Sequence, residues 1–115
     1  MIWRQSSDGK LVTFGQYYSN SLWLHLYKWT NPTTASALYF GLGSFGSGPQ
    51  WPTWLRLEDD GVNRKAYVSN DGTNWLLVHT VGRTDFLTAD EVGFAVQSGG
   101  AGYPAGIKIL SWVEA

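Results

Sequence analysis

The sequence contains no cysteine and few charged residues, and each shortage excludes a class of protein. Without cysteine, the chain can form neither a disulfide bond nor a metal site built on thiolates. Charged residues make up 15% of the 115 residues, and the formal net charge is −1. Because no run of Lys and Arg is present to contact phosphates, we expect no nucleic-acid partner.

Long apolar runs are also absent. No segment is apolar over the roughly 20 residues that a membrane-spanning helix needs, so we expect no membrane insertion. The N-terminal segment MIWRQSSDGK has no apolar stretch of the kind found in signal peptides. We therefore expect the protein to stay in the cytosol, or to leave it by lysis or as part of a larger particle.

Glycine and aromatic residues are abundant instead, with 14 Gly, 7 Trp and 6 Tyr in the chain. Helical periodicity is not sustained, whereas short runs of strand-forming residues recur between turn signals. This pattern predicts one all-β domain over residues 1–115. The predicted strands are Ile2–Gln5, Leu11–Tyr18, Ser21–Trp29, Ala35–Leu42, Trp54–Glu58, Arg64–Ser69, Trp75–Val81, Val92–Gln97 and Gly106–Val113.

Asp-Gly pairs mark the predicted turns, because glycine readily adopts the positive φ angle that tight hairpins need. The turn signals are Asp8-Gly9, Asp60-Gly61, Asp71-Gly72 and Asn31-Pro32. In the stretch YVSNDGTNWLLVH, we expect the side-chain oxygens of Ser69 and Asp71 to accept hydrogen bonds from loop N–H groups. The ring of Trp75 is expected to fold back over this turn.

Alternation along each strand predicts which side chains face the core, since successive residues point to opposite faces. The predicted inward faces are Leu22, Leu24 and Leu26; Leu55 and Leu57; Val92, Phe94 and Val96; and Ile107, Ile109 and Val113. The faces opposite the leucines carry Trp23, His25, Tyr27 and Trp29, and Trp54, Arg56 and Glu58. One-sided strands without helices must pack face to face, which predicts an antiparallel β-sandwich.

A family resemblance runs through the second half of the chain, in the segments WLRLEDDG (54–61), AYVSNDGTNW (66–75), VGFAVQSG (92–99) and SWVEA (111–115). These segments resemble the C-terminal half of concanavalin A-like lectin/glucanase jelly rolls. More narrowly, they look like the versions found as domains of bacteriophage tail and virion proteins. The upstream segment TFGQYYSNSLWLHLYKWTNPTT (13–34) continues the resemblance, which implies a jelly-roll topology for the sandwich.

Complete members of that group usually begin with further strands before a segment like Met1–Gln5. The chain is therefore expected to be a truncated or minimal version, or to have its sheets completed by a neighbouring subunit. A missing strand leaves unpaired N–H and C=O groups at the sheet edges. We expect a homo-oligomer, a trimer by resemblance to phage fibres or a dimer as the alternative, with Trp23 or Trp29 at the contact or in a ligand cleft beside it.

Glycosidases of the resembled fold carry carboxylates in the pattern Glu-x-Asp-x-x-Glu, which places a nucleophile and an acid on one strand face. The stretch EDDGVN (58–63) instead ends in Asn63 and has a turn in its middle, so we predict no catalytic residue and no enzymatic activity. It is too short for a full calcium shell. Because His25 and His79 have no partner at metal-ligand spacing, neither a metal nor another cofactor is expected.

Aromatic residues that core packing does not readily use supply the candidate site. The candidate ligand-binding or interface residues are Trp23, His25, Tyr27, Trp29, Trp54 and Arg56. Three interpretations stay open for the aromatic stripe: a subunit interface, a second core layer under the loop Gly43–Pro52, and a platform on which sugar rings stack.

The resemblance implies a non-enzymatic domain of a phage virion, in the tail or a fibre, with a structural or receptor-recognition role. Its partners would be other virion proteins or a host-surface glycan. Its location would be the virion, after synthesis in the cytoplasm of the bacterial host. The alternative is a carbohydrate-binding module of a secreted bacterial enzyme.

Overall fold

The computed structural model describes residues 1–19, 21–45 and 52–96, and every regular element in these ranges is a β-strand. In chain order, the strands are β1 (Ile2–Arg4), β2 (Leu11–Ser19), β3 (Ser21–Asn31), β4 (Thr34–Phe45), β5 (Trp54–Asp59), β6 (Asn63–Ser69), β7 (Leu76–Gly82) and β8 (Glu91–Gly93). The predicted strand Gly106–Val113 lies outside the described residues.

These strands form two sheets that pack against each other. The larger sheet has five strands in the order β4-β3-β2-β1-β8, and the smaller has three in the order β5-β6-β7. Each of these neighbouring pairs is antiparallel. The predicted antiparallel β-sandwich is therefore confirmed, while the jelly-roll connectivity implied by the resemblance stays a prediction.

The core lies between the two sheets. Its buried members are Trp3, Val12, Phe14, Leu24, Leu26, Ala66 and Leu87. The predicted inward face of β3 is confirmed by Leu24 and Leu26, which are almost completely buried. Leu55 and Leu57 of β5 pack against this core while partly buried. Burial of Leu24 and Leu26 contributes about 2 kcal/mol of hydrophobic free energy for each side chain, so these two residues hold β3 against the core.

All three Asp-Gly turns have the predicted backbone conformation, with φ angles of 77° at Gly9, 88° at Gly61 and 75° at Gly72. A Cβ atom at Gly72 would also lie 3.0 Å from the ring of Trp54. The side chain nearest to this position is therefore that of Trp54, while the expected folding of the Trp75 ring over the turn stays a prediction. Trp54 reaches the turn because it pairs across the ladder with the last residue of β6.

The Asp71-Gly72 turn is held by side-chain oxygens, as predicted. Asp71 Oδ1 accepts hydrogen bonds from the N–H groups of Thr73 and Asn74, each at 2.8 Å. Ser69 Oγ accepts from the N–H groups of Asp71 at 3.2 Å and Gly72 at 2.9 Å. Hydrogen bonds from the Asn74 side chain and the loop N–H groups hold the pKa of Asp71 well below its usual range. Asp71 therefore has a structural role in this turn.

The strand predicted over Val92–Gln97 is wrong for residues 94–96, since β8 ends at Gly93, and Gln97 lies outside the described residues. The ladder between β1 and β8 ends at the pair Ile2↔Gly93, because β1 is itself only three residues long. The face expected to be buried is instead exposed, with 45% of Val92, 43% of Phe94 and 50% of Val96 accessible to solvent. In the described part of the chain, β8 pairs with β1 alone, and its three residues end before Phe94 and Val96.

Candidate functional site

Strand β3 places four ring-bearing side chains on the outer face of the five-stranded sheet. Leu24 and Leu26 point into the core, so the residues that alternate with them point away from it. These outward residues are Trp23, His25, Tyr27 and Trp29, which we call the aromatic row. Each of the four is partly exposed.

The rings of the aromatic row follow one another closely along the strand. The centroids of Trp23 and His25 are 5.9 Å apart, those of His25 and Tyr27 are 6.0 Å apart, and those of Tyr27 and Trp29 are 5.6 Å apart. Tyr17 of β2 stacks on His25 at 5.1 Å and is 51% exposed. The result is one continuous surface of aromatic rings.

Glycine on the neighbouring strand makes room for the first ring of the row. Trp23 pairs with Gly43 of β4, and a Cβ atom at Gly43 would lie only 1.8 Å from the indole ring. The indole therefore occupies the space that any other residue would need for its side chain. On the other side, His25 pairs with Gly15 of β2, where an added Cβ would meet nothing within 4 Å.

The strands that flank the aromatic row add no charge to its face. The residues paired with the row are Leu11, Thr13, Gly15 and Tyr17 on β2, and Ala35, Leu38, Gly41 and Gly43 on β4. Burial lowers the pKa of His25 below its ordinary value, so its imidazole is uncharged at neutral pH. The indole N–H of Trp29 donates a hydrogen bond to Thr13 Oγ1 at 2.9 Å, which fixes the orientation of that ring.

The row is distinct from the core and from the ring–cation contacts of the protein. Trp23, Tyr27 and Trp29 belong neither to the buried core nor to the partly buried residues that pack against it. Among the described residues, the cations that lie over aromatic rings contact Trp3, Tyr39, Tyr67, Trp75 and Phe86, and none contacts the row. Residues 46–51 of the loop invoked for a second core layer lie outside the described residues.

Trp54 and Arg56, the other two predicted site residues, lie on the opposite side of the sandwich. They alternate with Leu55 and Leu57, which pack on the core, so they project from the outer face of the three-stranded sheet. The sequence-based candidate site is thus divided between two outer faces. Only Trp23, His25, Tyr27 and Trp29 are brought together.

The side chains around Arg56 form a face that we call the charged face, made of Trp54, Arg56, Glu58, Lys65 and Tyr67. The guanidinium of Arg56 lies 5.1 Å from the ring of Tyr67 and 5.9 Å from that of Trp75. Arg56 also forms an ion pair with Glu58. The face of the Tyr67 ring is therefore in contact with a cation of the protein itself.

The carboxylates of the stretch 58–60 are all engaged in ion pairs. Glu58 pairs with Arg56 and Lys65, and Asp59 pairs with Arg83 at 2.9 Å. Asp60 pairs with Lys65 at 2.6 Å, and this contact, together with loop N–H donors, holds the pKa of Asp60 well below its usual range. An acid catalyst would need a raised pKa to keep its proton, so Asp60 is unsuited to that role.

Sequence reasoning missed a cavity between the two sheets. Its volume is about 260 Å³, and its lining is mostly apolar. The lining residues are Leu24, Leu42, Pro52, Val68, Ser69, Asn70, Asn74, Leu76 and Val78. The cavity lies next to the Asp71-Gly72 turn, which supplies the two asparagines. The sequence contains no signal for this cavity, because the cavity depends on how the two sheets are placed relative to each other.

Sequence reasoning also missed a polar network in which the buried Arg64 contacts Asp85, which in turn contacts Tyr39. Arg64 is 1% exposed, lies 5.3 Å from the ring of Trp3, and donates a hydrogen bond to the carbonyl of Asp85. Tyr39 donates to the Asp85 carboxylate at 2.9 Å, and burial with this carboxylate raises the pKa of Tyr39 to about 12. The alternation Arg64, Ala66, Val68 could have indicated that Arg64 faces inward.

Residues 1–19, 21–45 and 52–96 contain no cluster of three or more His, Asp and Glu that could hold a metal ion. The same ranges contain no helix with the length and hydropathy needed to cross a membrane.

Comparisons with protein-family models, with curated proteins and with solved structures found no match.

Proposed function

We propose that this protein is a non-enzymatic recognition domain that binds glycans through the aromatic row, as part of the tail or a fibre of a phage virion. The observation that carries the proposal is a set of partly exposed rings on a sheet face without charged flanking residues. The virion setting is supported by the resemblance of segments 54–61, 66–75 and 92–99 to jelly rolls of phage tail proteins.

Aromatic rings bind sugars because the two surfaces are complementary. The face of an aromatic ring carries partial negative charge, and the C–H groups on one side of a pyranose ring carry partial positive charge. Stacking buries apolar area on both partners while the sugar hydroxyls stay available for hydrogen bonds. The imidazole of His25 and the phenol groups of Tyr17 and Tyr27 can supply such bonds at the edge of the rings.

The two outer faces differ in their ability to offer this surface. On the charged face, Arg56 already lies over the ring of Tyr67. Along the aromatic row, the indole of Trp23 lies against β4 at Gly43, and no cation among the described residues lies over a ring of the row. The proposal therefore places the glycan on the five-stranded sheet and not on Trp54 and Arg56.

Self-association belongs to the same proposal. The described edges of the two sheets are β4 and β8 in one and β5 and β7 in the other. Exposed sheet edges can pair with a strand of another subunit, so a strand edge in the described part of the chain that stays open in the whole protein would support the expected homo-oligomer. A trimer fits a fibre, and a dimer is the alternative. Light scattering that shows a monomer at about tens of micromolar would contradict this part of the proposal.

The test of glycan binding is an array of bacterial surface polysaccharides and plant and fungal glycans, probed with the native protein and two variants. We expect the native protein to bind at least one glycan, and Trp29→Ala to weaken that binding about tenfold or more. The matched control is Trp54→Ala, which removes the same side chain from the opposite face and should retain binding within about twofold.

Two results would overturn this proposal. One is a native protein that binds no glycan on the array. The other is a loss of binding in Trp54→Ala with normal binding in Trp29→Ala, which would move the site to the charged face. The genes beside the coding sequence test the setting, since tail or baseplate genes support a virion and a catalytic domain in the same reading frame supports an enzyme module.

A further inference from the structure

We propose that the ligand of the aromatic row is a single, linear, uncharged glycan chain that lies along β3 and contacts at least three successive sugar units. This inference rests on the proposed function and names its substrate class. It comes from the number, spacing, tilt and electrostatics of the rings.

The length of the row sets the length of the ligand. Residues 23 to 29 cover roughly 20 Å of extended strand, and the rings follow one another at 5.6 to 6.0 Å. A pyranose ring is similar in size to one aromatic ring, so a monosaccharide can stack on only one member of the row. A chain that runs parallel to β3 can place successive sugars over successive rings, and its affinity should grow with each contact.

The tilt of the rings favours binding of a single glycan chain and disfavours binding to the flat face of a crystalline polysaccharide. Successive ring planes differ by 50° between Trp23 and His25, 38° between His25 and Tyr27, and 52° between Tyr27 and Trp29. Rings that turn in this way cannot all lie against one plane, such as the face of a crystalline polysaccharide. They match a soluble chain whose successive sugar units rotate about its axis.

The electrostatics of the face select an uncharged chain. A uronate or phosphate group buried at a binding site needs a cationic partner or suffers a large loss of hydration. The residues of β2 and β4 paired with the row are all uncharged, and His25 is uncharged at neutral pH. Lys28 lies on the inner side of the sheet, 4.4 Å from the ring of Tyr39.

Cations further along the sheet do not change this picture. Arg4 of β1 pairs with Leu11 across the ladder, next to the end of the row, but its guanidinium forms an ion pair with Glu91. A neutral pair of this kind contributes little attraction for a carboxylate on a ligand. The chemistry of the face is therefore that of hydroxyl, amide and C–H groups.

The experiment is calorimetric titration with three ladders of oligosaccharides from one to about six units. The probes are β-1,4-linked glucose, β-1,4-linked N-acetylglucosamine and α-1,4-linked glucose oligomers, with oligogalacturonate as the anionic probe and microcrystalline cellulose and chitin as flat surfaces. In at least one neutral ladder, we expect the affinity to rise about tenfold or more between one and four units and then level off.

Variants at the end of the row locate the chain. Trp29→Ala should reduce affinity for the longest oligomers about tenfold and leave affinity for the shortest within about twofold. If Trp29→Ala does not fold, as judged by circular dichroism, Trp29→Phe serves instead, with a smaller loss in the same direction. Raising NaCl from about 0.05 M to about 0.5 M should change affinity less than about twofold, because no charge pair forms.

The outcomes separate this inference from the proposed function. A protein that binds oligogalacturonate best, binds only the crystalline polymers, or binds monosaccharides as tightly as longer oligomers is still a glycan-binding protein, but the inference is then wrong. Binding on the array only to branched or terminal sugars would likewise contradict the inference and leave the proposed function in place. A protein that binds none of the ladders and no glycan on the array removes the proposed function together with the inference.

Discussion

The outer faces of the two sheets both carry aromatic residues, but they differ in what lies on and beside the rings. On the three-stranded sheet, Arg56 lies over the rings of Tyr67 and Trp75 and forms an ion pair with Glu58. On the five-stranded sheet, the flanking residues are uncharged, and glycine lies under the first indole. Both faces arise from the same alternation of strand residues.

Under the proposed function, this difference means that aromatic residues alone do not identify a binding surface. Arginine and tyrosine that contact each other within the protein make a stable, hydrated face, since cation–π contacts at exposed sites contribute about 0.5–1 kcal/mol. The rings of the aromatic row have uncharged partners on both adjacent strands. The neighbours of a ring on the adjacent strands therefore carry more functional information than the ring itself.

The largest expected effect concerns the turn below the charged face. Gly72→Val should lower the free energy of unfolding by about 2 kcal/mol, because a β-branched residue is strained at positive φ and would crowd the ring of Trp54. Urea unfolding measures this loss, and Gly72→Asn is the control, since asparagine tolerates this conformation better. Glycan binding by folded Gly72→Val should be normal, and its loss would contradict the separation of the two faces.

A smaller effect is expected on the opposite face, at Gly43. A methyl group there would lie 1.8 Å from the indole of Trp23, so Gly43→Ala should displace that ring while leaving it in the protein. We expect affinity for a long neutral oligosaccharide to fall about tenfold, with a loss in the free energy of unfolding of about 1 kcal/mol.

The control for this prediction is Gly15→Ala, which adds the same methyl group on the other side of the row. Nothing lies within 4 Å of a Cβ atom at Gly15, so its affinity should stay close to that of the native protein. Equal affinity in the two variants would show that the position of the Trp23 ring does not matter for binding.

The smallest effect is expected from Asp71→Asn, and it depends on pH. The pKa of Asp71 is lowered in the folded protein from an ordinary value of 3.8, so its carboxylate stabilises the fold above that pH. This stabilisation is lost as the pH falls through the lowered pKa. Urea unfolding at neutral pH should find the native protein more stable than Asp71→Asn, with a difference that shrinks below about pH 4. A difference independent of pH would contradict this role.

Local pattern was sufficient to predict the layers and the turns. The alternation in β3 placed Leu24 and Leu26 in the core, and the Asp-Gly pairs placed the positive φ angles. Both features depend on residues close in sequence, which is why sequence alone determines them.

Features that depend on which strands lie next to each other were not predictable from the local sequence pattern. Val92 and Val96 alternate like core residues, yet among the strands that the structure describes β8 pairs only with β1, and it ends at Gly93. Trp54 and Arg56 point outward like Trp23, but alternation does not indicate which sheet each strand joins. The sequence therefore could not separate the two outer faces. Arg64 can be buried because it donates a hydrogen bond to the Asp85 carbonyl and lies over the ring of Trp3. Both partners are distant from Arg64 in sequence.

The contact between Trp23 and Gly43 also bears on the entropy of binding. An indole that moves freely must lose that motion when a sugar stacks on it, at a cost of about 0.5–1.5 kcal/mol per immobilised side chain. Because the Trp23 ring lies against β4, folding has already restricted its rotation. For the glycan ligand that we propose, the first ring of the row is thus preorganised. The missing side chain at Gly43 therefore reduces the conformational freedom that this ring would lose on binding.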